Sequence, residues 1–145
     1  MSFETLVYGY IDSIPWRKDD YRKYQRRNLE LLNELPEKDE YPFLSRGMFS
    51  APGFEPAEGT HRSHVIHFGG SYRNFEVDDD MLAWLAKFEG LLSTLYWIGA
   101  TAHIVTEGNA DHRFEWVAHI DVIHTYSADA PSPTTKWERK DTSGT

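Results

Sequence analysis

The chain has 145 residues and no cysteine, with 15 Lys and Arg against 23 Asp and Glu and a net charge of −8. Disulfides, thiolate nucleophiles and cysteine-based zinc sites are therefore ruled out, and so acidic a balance argues against wrapping a phosphate backbone, which needs a positive footprint. The length suits one domain, and no apolar run approaches the roughly 20 residues of a membrane helix.

The opening stretch, MSFETLVYGYID, lacks the basic start and small-residue cleavage site of a signal peptide. With the missing cysteines, this makes a reducing cytoplasm the expected compartment. Phe3 to Asp12 is rich in β-formers and reads as a strand, broken by Ser13, Ile14 and Pro15. Asp19 or Asp20 opens a helix reaching about Leu35, where Pro36 stops it. Tyr21, Tyr24, Asn28, Leu31, Leu32 and Leu35 form its inner stripe, and its other face is basic (Arg17, Lys18, Arg22, Lys23, Arg26, Arg27). A run of like charge on a helix face is first of all a solvated face.

Phe43 to Phe49 predicts a short strand with a glycine irregularity, and residues 50–60 a loop rich in Pro and Gly. His61 to Phe75 has strand character, with a bulge or close approach expected at Gly69-Gly70. From Asp78 to Tyr96 the periodicity is strongest. Met81, Trp84, Leu85, Phe88, Leu91, Leu92 and Leu95 recur at three- and four-residue steps, which puts them on one stripe of a helix. Asp78, Asp79 and Asp80 suit its first turn, and Gly99 is the expected C-terminal stop.

Ala100 to Glu107 is a β-branched strand, residues 108–112 a hairpin turn, and Arg113 to Tyr126 a long returning strand. Phe114, Ala118, Ile120 and Val122 point one way, and Arg113, Glu115, Val117, His119 and Asp121 the other. Residues 127–145, with two prolines and Trp137 as the only large anchor, read as a flexible tail behind a single domain over 1–126. The order predicts an α+β fold: a two-layer sandwich, mostly antiparallel, with two main helices on one face and a ferredoxin-like βαββαββ arrangement.

Chemistry is less plainly written. His67, His103 and His119 lie on expected neighbouring strands, with Asp121 or Glu107 nearby, and could hold zinc or iron. Lone strand histidines are more often structural, and no paired-histidine helical motif occurs. Ser71 in FGGSY lacks the second glycine of a nucleophile elbow. Phosphate loops and dinucleotide fingerprints are missing too, so no cofactor is expected. A small enzyme or ligand-binding domain using the histidine-bearing sheet face remains the alternative to a binding protein.

The segments RGMFSAPG (46–53), HFGGSYRNFE (67–76), WLAKFEGLLSTLYWIGATAHIVTE (84–107) and FEWVAHID (114–121) resemble the small immunity proteins of bacterial polymorphic-toxin and secretion-delivered effector systems. The resemblance implies a cytoplasmic protein that binds a cognate toxin and neutralises it by occlusion, with no reaction of its own and no catalytic residue to carry over. From the acidic balance and the apolar run lengths, neither a nucleic-acid nor a membrane partner is expected, and a homodimer stays open. An acidic inhibitor is steered quickly to a basic target. The expected charged contacts are Glu76, Asp78, Asp79 and Asp80 at the helix start and Glu107, Asp111 and Glu115 around the hairpin. Trp97 and Trp116 are the expected aromatic anchors.

Overall fold

The computed structural model describes residues 4–15, 22–51, 63–106, 110–127 and 132–144. In chain order these form β1 (Glu4–Pro15), α1 (Arg22–Asn33), β2 (Phe49–Ser50), β3 (Ser63–Arg73), α2 (Asp79–Leu92), β4 (Trp97–Val105), β5 (Asp111–Ala118), α3 (Ile120–Ser127) and β6 (Trp137–Gly144). The sheet order is β2-β3-β1-β4-β5-β6, and each neighbouring pair is antiparallel. Its first four strands, with α1 and α2 as crossovers, form the expected ferredoxin-like split arrangement. β5 and β6 extend it on one side, so the fold is the expected α+β sandwich.

The pleat sorts the side chains. Val7 and Ile11 on β1, Ile66, Phe68 and Tyr72 on β3, Ala100, Ala102 and Ile104 on β4, and Phe114 and Trp116 on β5 all enter one core with Leu32 of α1 and the stripe of α2. Phe88 is the hub: its ring lies 4.9 Å from Trp84, 5.0 Å from Phe68 and 5.0 Å from Trp116. Rings of this size bring large buried areas from few residues. Their polar ends are matched: Trp84 Nε1 donates to Tyr72 Oη at 3.1 Å, and Tyr72 Oη donates to the Phe43 carbonyl at 2.6 Å. Burial pushes the Tyr72 phenol well above its ordinary value.

Gly9 lets β1 fit at the centre. A Cβ there would stand 1.9 Å from the Thr101 carbonyl oxygen and 2.8 Å from the Phe68 ring, so only glycine fits.

Several expectations need correcting. α2 ends at Leu92 rather than near Tyr96, because Ser93 Oγ and Thr94 Oγ1 take up the Gly90 and Leu91 carbonyls at 2.7 Å each. Gly99, expected to stop that helix, lies within β4. Gly69-Gly70 is no bulge: the two pair in regular register with Tyr8 and Val7. The segment expected as a strand over 43–49 becomes a 3-10 turn at Arg46–Met48 and the two-residue β2.

The long returning strand stops at Ala118, and α3 follows. Its first turn is seeded by His119, whose carbonyl accepts from Val122 at 2.9 Å and Ile123 at 3.1 Å, while its ring Nδ1 accepts from the Asp121 N–H at 3.3 Å. The expected flexible tail is instead clamped and paired. Thr134 N donates to the Leu95 carbonyl at 2.9 Å and Thr134 Oγ1 to the Trp97 carbonyl at 2.6 Å. β6 then pairs with β5 along its whole length. The expected helix start at residues 19–20, most of the 50–60 loop and the hairpin tip with Glu107 lie outside the described residues.

Candidate protein-binding face

Among the described residues the three helices leave the second face of the sheet uncovered, and the strand registers set out its rows. Across β3, β1, β4, β5 and β6, one row reads Val65, Asp12, Gly99, Val117, Glu138 and the next His67, Tyr10, Thr101, Glu115, Lys140. A third reads Gly69, Tyr8, His103, Arg113, Thr142, and a fourth opens with Ser71, Leu6, Val105, Asp111. An antiparallel sheet with one wet face ordinarily alternates polar-out. Here Leu6 (47% exposed), Tyr8 (46%), Tyr10 (44%) and Val117 (58%) lie on the wet face. Strand spacing and rise make the plate roughly 24 Å by 20 Å.

Two hollows sit on this side and share Val117. One, ≈ 240 Å³, is lined by Tyr10, Asp12, Gly99, Thr101, Arg113 and Glu115 among others. The other, ≈ 300 Å³, lies between Val117, His119, Ile120, Ile123 and Glu138. Ile120 and Ile123 are also exposed, so the apolar surface runs from β1 across β5 onto α3. A connected exposed apolar patch of this kind is a candidate contact surface.

Charge on the strands of this face leans acidic: Glu4, Asp12, Asp111, Glu115 and Glu138 stand against Arg73, Arg113 and Lys140. Arg113 bonds Glu115 within the face. His103 Nδ1 lies 3.1 Å from Asp111 Oδ1, and its ring stacks on Tyr8 with centroids 4.9 Å apart and planes at 11°. These contacts fix the orientation of Tyr8.

The expected contact residues within the described part of the chain divide into three groups, Glu107 lying outside it. Asp111 and Glu115 lie on the open face, as described. Glu76, Asp78, Asp79 and Asp80 gather at the start of α2. There Asp80 Oδ2 accepts from the Glu76 N–H at 2.8 Å, while Asp78 makes no side-chain cap. Val77, Leu82 and Tyr41 are exposed near this group, and burial together with Asp80 and Glu76 raises the Tyr41 phenol.

Trp97 and Trp116 are corrected outright: both are core residues, at 0% and 1% exposure. Trp116 shares the inward parity of Phe114 and Ala118. Trp97 is turned inward by a bulge, since Asp12 faces Gly99 but the next residue, Ser13, faces Trp97. The exposed aromatics of the open face are instead Tyr8 and Tyr10, which the alternation in β1 foreshadows.

The histidine set is also corrected. His67 and His103 are separated by β1, and His119 caps α3. Among the described residues no group of three His, Asp or Glu could hold a metal ion. A further hollow, ≈ 430 Å³, lies between α1 and α2 and is walled by Leu31, Leu35, Leu44 and Leu91. No helix among the described residues is long and apolar enough to cross a membrane.

No family model, curated protein or solved structure matches this chain.

Proposed function

We propose that this chain is a non-catalytic binding protein that holds a cognate protein toxin against the open face of its sheet and neutralises it by occlusion. The supporting observation is the connected apolar surface of Leu6, Tyr8, Tyr10, Val117, Ile120 and Ile123 on the side no helix covers.

A specific interface takes about 800 Å² from each partner, and a plate of this extent with the flank of α3 can furnish most of it. Tyrosine is a favoured anchor, because it gives large contact area for few torsions and keeps a polar tip. The acidic margin, set in a chain of net charge −8, fits a basic partner and speeds its approach. The acids at the start of α2 add to that field.

Expression tests this reading. The protein captured by this chain from its own cells is expressed alone and then together with it. Growth arrest by the partner alone, relieved by co-expression, is the expected result. A captured partner that is harmless alone, or an arrest that co-expression leaves in place, overturns it.

A further inference from the structure

The hollow beside Asp12 has the chemistry of a socket. Gly99 stands between Asp12 and Val117 in its row and supplies no side chain, which leaves a depression in the plate. Tyr10 and Thr101 form the next row, and Glu115 closes the far side. Glu115 already has Arg113. Asp12 has no such neighbour among the described residues: its Oδ1 is buried and accepts no hydrogen bond from them. A buried carboxylate oxygen without a donor is costly, and a charged donor relieves that cost best. The half-exposed Tyr10 ring beside it offers a π-face, which attracts a guanidinium more readily than an ammonium.

We infer that this hollow receives the guanidinium of an arginine side chain on the bound protein, with the Asp12 carboxylate pairing with its charge and Tyr10 stacking on its plane. The inference rests on the open face being the binding surface, and it names the residue type that face selects. Thr101, only 7% exposed, and Gly99 form the floor, so the site is shaped before the partner arrives.

The test needs no partner. The labelled full chain is titrated with N-acetyl-arginine methylamide, and backbone amide shifts are followed by NMR. N-acetyl-citrulline methylamide, which has nearly the same shape without the charge, serves as the control. Saturable shifts confined to residues around Asp12, Gly99, Thr101, Glu115 and Val117 are expected with the arginine probe alone. Asp12→Asn should weaken binding about tenfold or more.

Gly99→Val provides a second check that leaves the charge intact. A Cβ at Gly99 meets nothing closer than the Trp116 carbonyl oxygen at 3.7 Å, so the variant folds and fills the hollow. It should abolish the response. Equal binding of citrulline, shifts centred elsewhere, or undiminished binding by both variants overturns the socket. An arginine probe that fails while a toxin is still captured sinks the socket alone. A probe that binds as expected while co-expression fails to relieve arrest sinks the neutralisation reading alone.

Discussion

Trp116 Nε1 donates a 2.8 Å hydrogen bond to Glu89 Oε2, and the same oxygen accepts from Arg139 Nη1 at 3.2 Å. One carboxylate of α2 therefore ties down β5 and the edge strand β6 together. Glu89→Ala leaves a buried indole N–H without an acceptor, at a cost of about 1–3 kcal/mol. It should also speed amide exchange along residues 138–143, because Arg139 loses its bond to α2. Glu89→Gln keeps an acceptor and should lie between the two. Equal exchange in β6 for wild type and Glu89→Ala would show that β6 is held by its backbone pairing alone.

Gly9 offers the sharpest test of the central packing. Gly9→Ala puts a methyl group onto the Thr101 carbonyl, and a backbone atom cannot step aside as a flexible side chain does. Overpacking of this type costs about 1–3 kcal/mol or more. A chemical melt of Gly9→Ala matching wild type would mean that β1 and β4 are further apart than described.

Tyr72→Phe removes one oxygen and strands two groups, the Trp84 N–H and the Phe43 carbonyl. The expected loss is about 1–3 kcal/mol. In wild type the Tyr72 phenol should stay protonated through alkaline titration until the protein unfolds, because burial raises it. Ultraviolet absorbance that showed every tyrosine ionising before unfolding would contradict this.

Asp39 provides the acid-side prediction. Lys87 Nζ donates to its Oδ2 at 2.8 Å and the Leu44 N–H at 2.9 Å, which holds the carboxyl below its ordinary value. A carboxyl depressed in the folded state adds stability above its unfolded value, and that stability is lost as pH falls through the folded one. The stability gap between wild type and Asp39→Asn should therefore be widest near neutral pH and close toward about pH 2. Urea melts at both ends measure it, and a gap independent of pH would refute the assignment.

What the sequence disclosed follows from what each segment buries. α2 was legible because six large apolar residues keep helical spacing within it, and β1, β3 and β4 because β-branched and aromatic residues alternate. α3 was hidden by Ile120, Val122, Ile123 and Thr125, which favour strands; its start depends on the His119 cap, a local hydrogen-bond pattern that composition does not record. β6 was hidden because its two faces are almost equally polar. It is an edge strand whose Arg139 and Lys140 guard against stray pairing, and only Trp137, 5.8 Å from Trp97, signals the core.

The exposed aromatics differ from the sequence expectation in one informative way. Tryptophan is the favoured hot-spot residue, which pointed to Trp97 and Trp116, yet strand parity already assigns Trp116 inward with Phe114. The same parity sends Tyr8 and Tyr10 outward while Val7 and Ile11 go in. For Trp97 the deciding feature is the bulge beside Asp12, which shifts parity by one residue and leaves no trace in the pattern of residue types.

The most direct measurement compares partner capture from native lysate by three forms of the tagged chain: wild type, Tyr10→Ser with Val117→Ser, and Leu82→Ser. Leu82 is 67% exposed on α2, away from the open sheet face, and serves as the control. If the open face is the binding surface, wild type and Leu82→Ser retain the same stoichiometric protein through a salt wash. The double variant should lose it, with affinity reduced about a hundredfold. Retention by the double variant at the wild-type level, or loss with Leu82→Ser alone, would contradict the account.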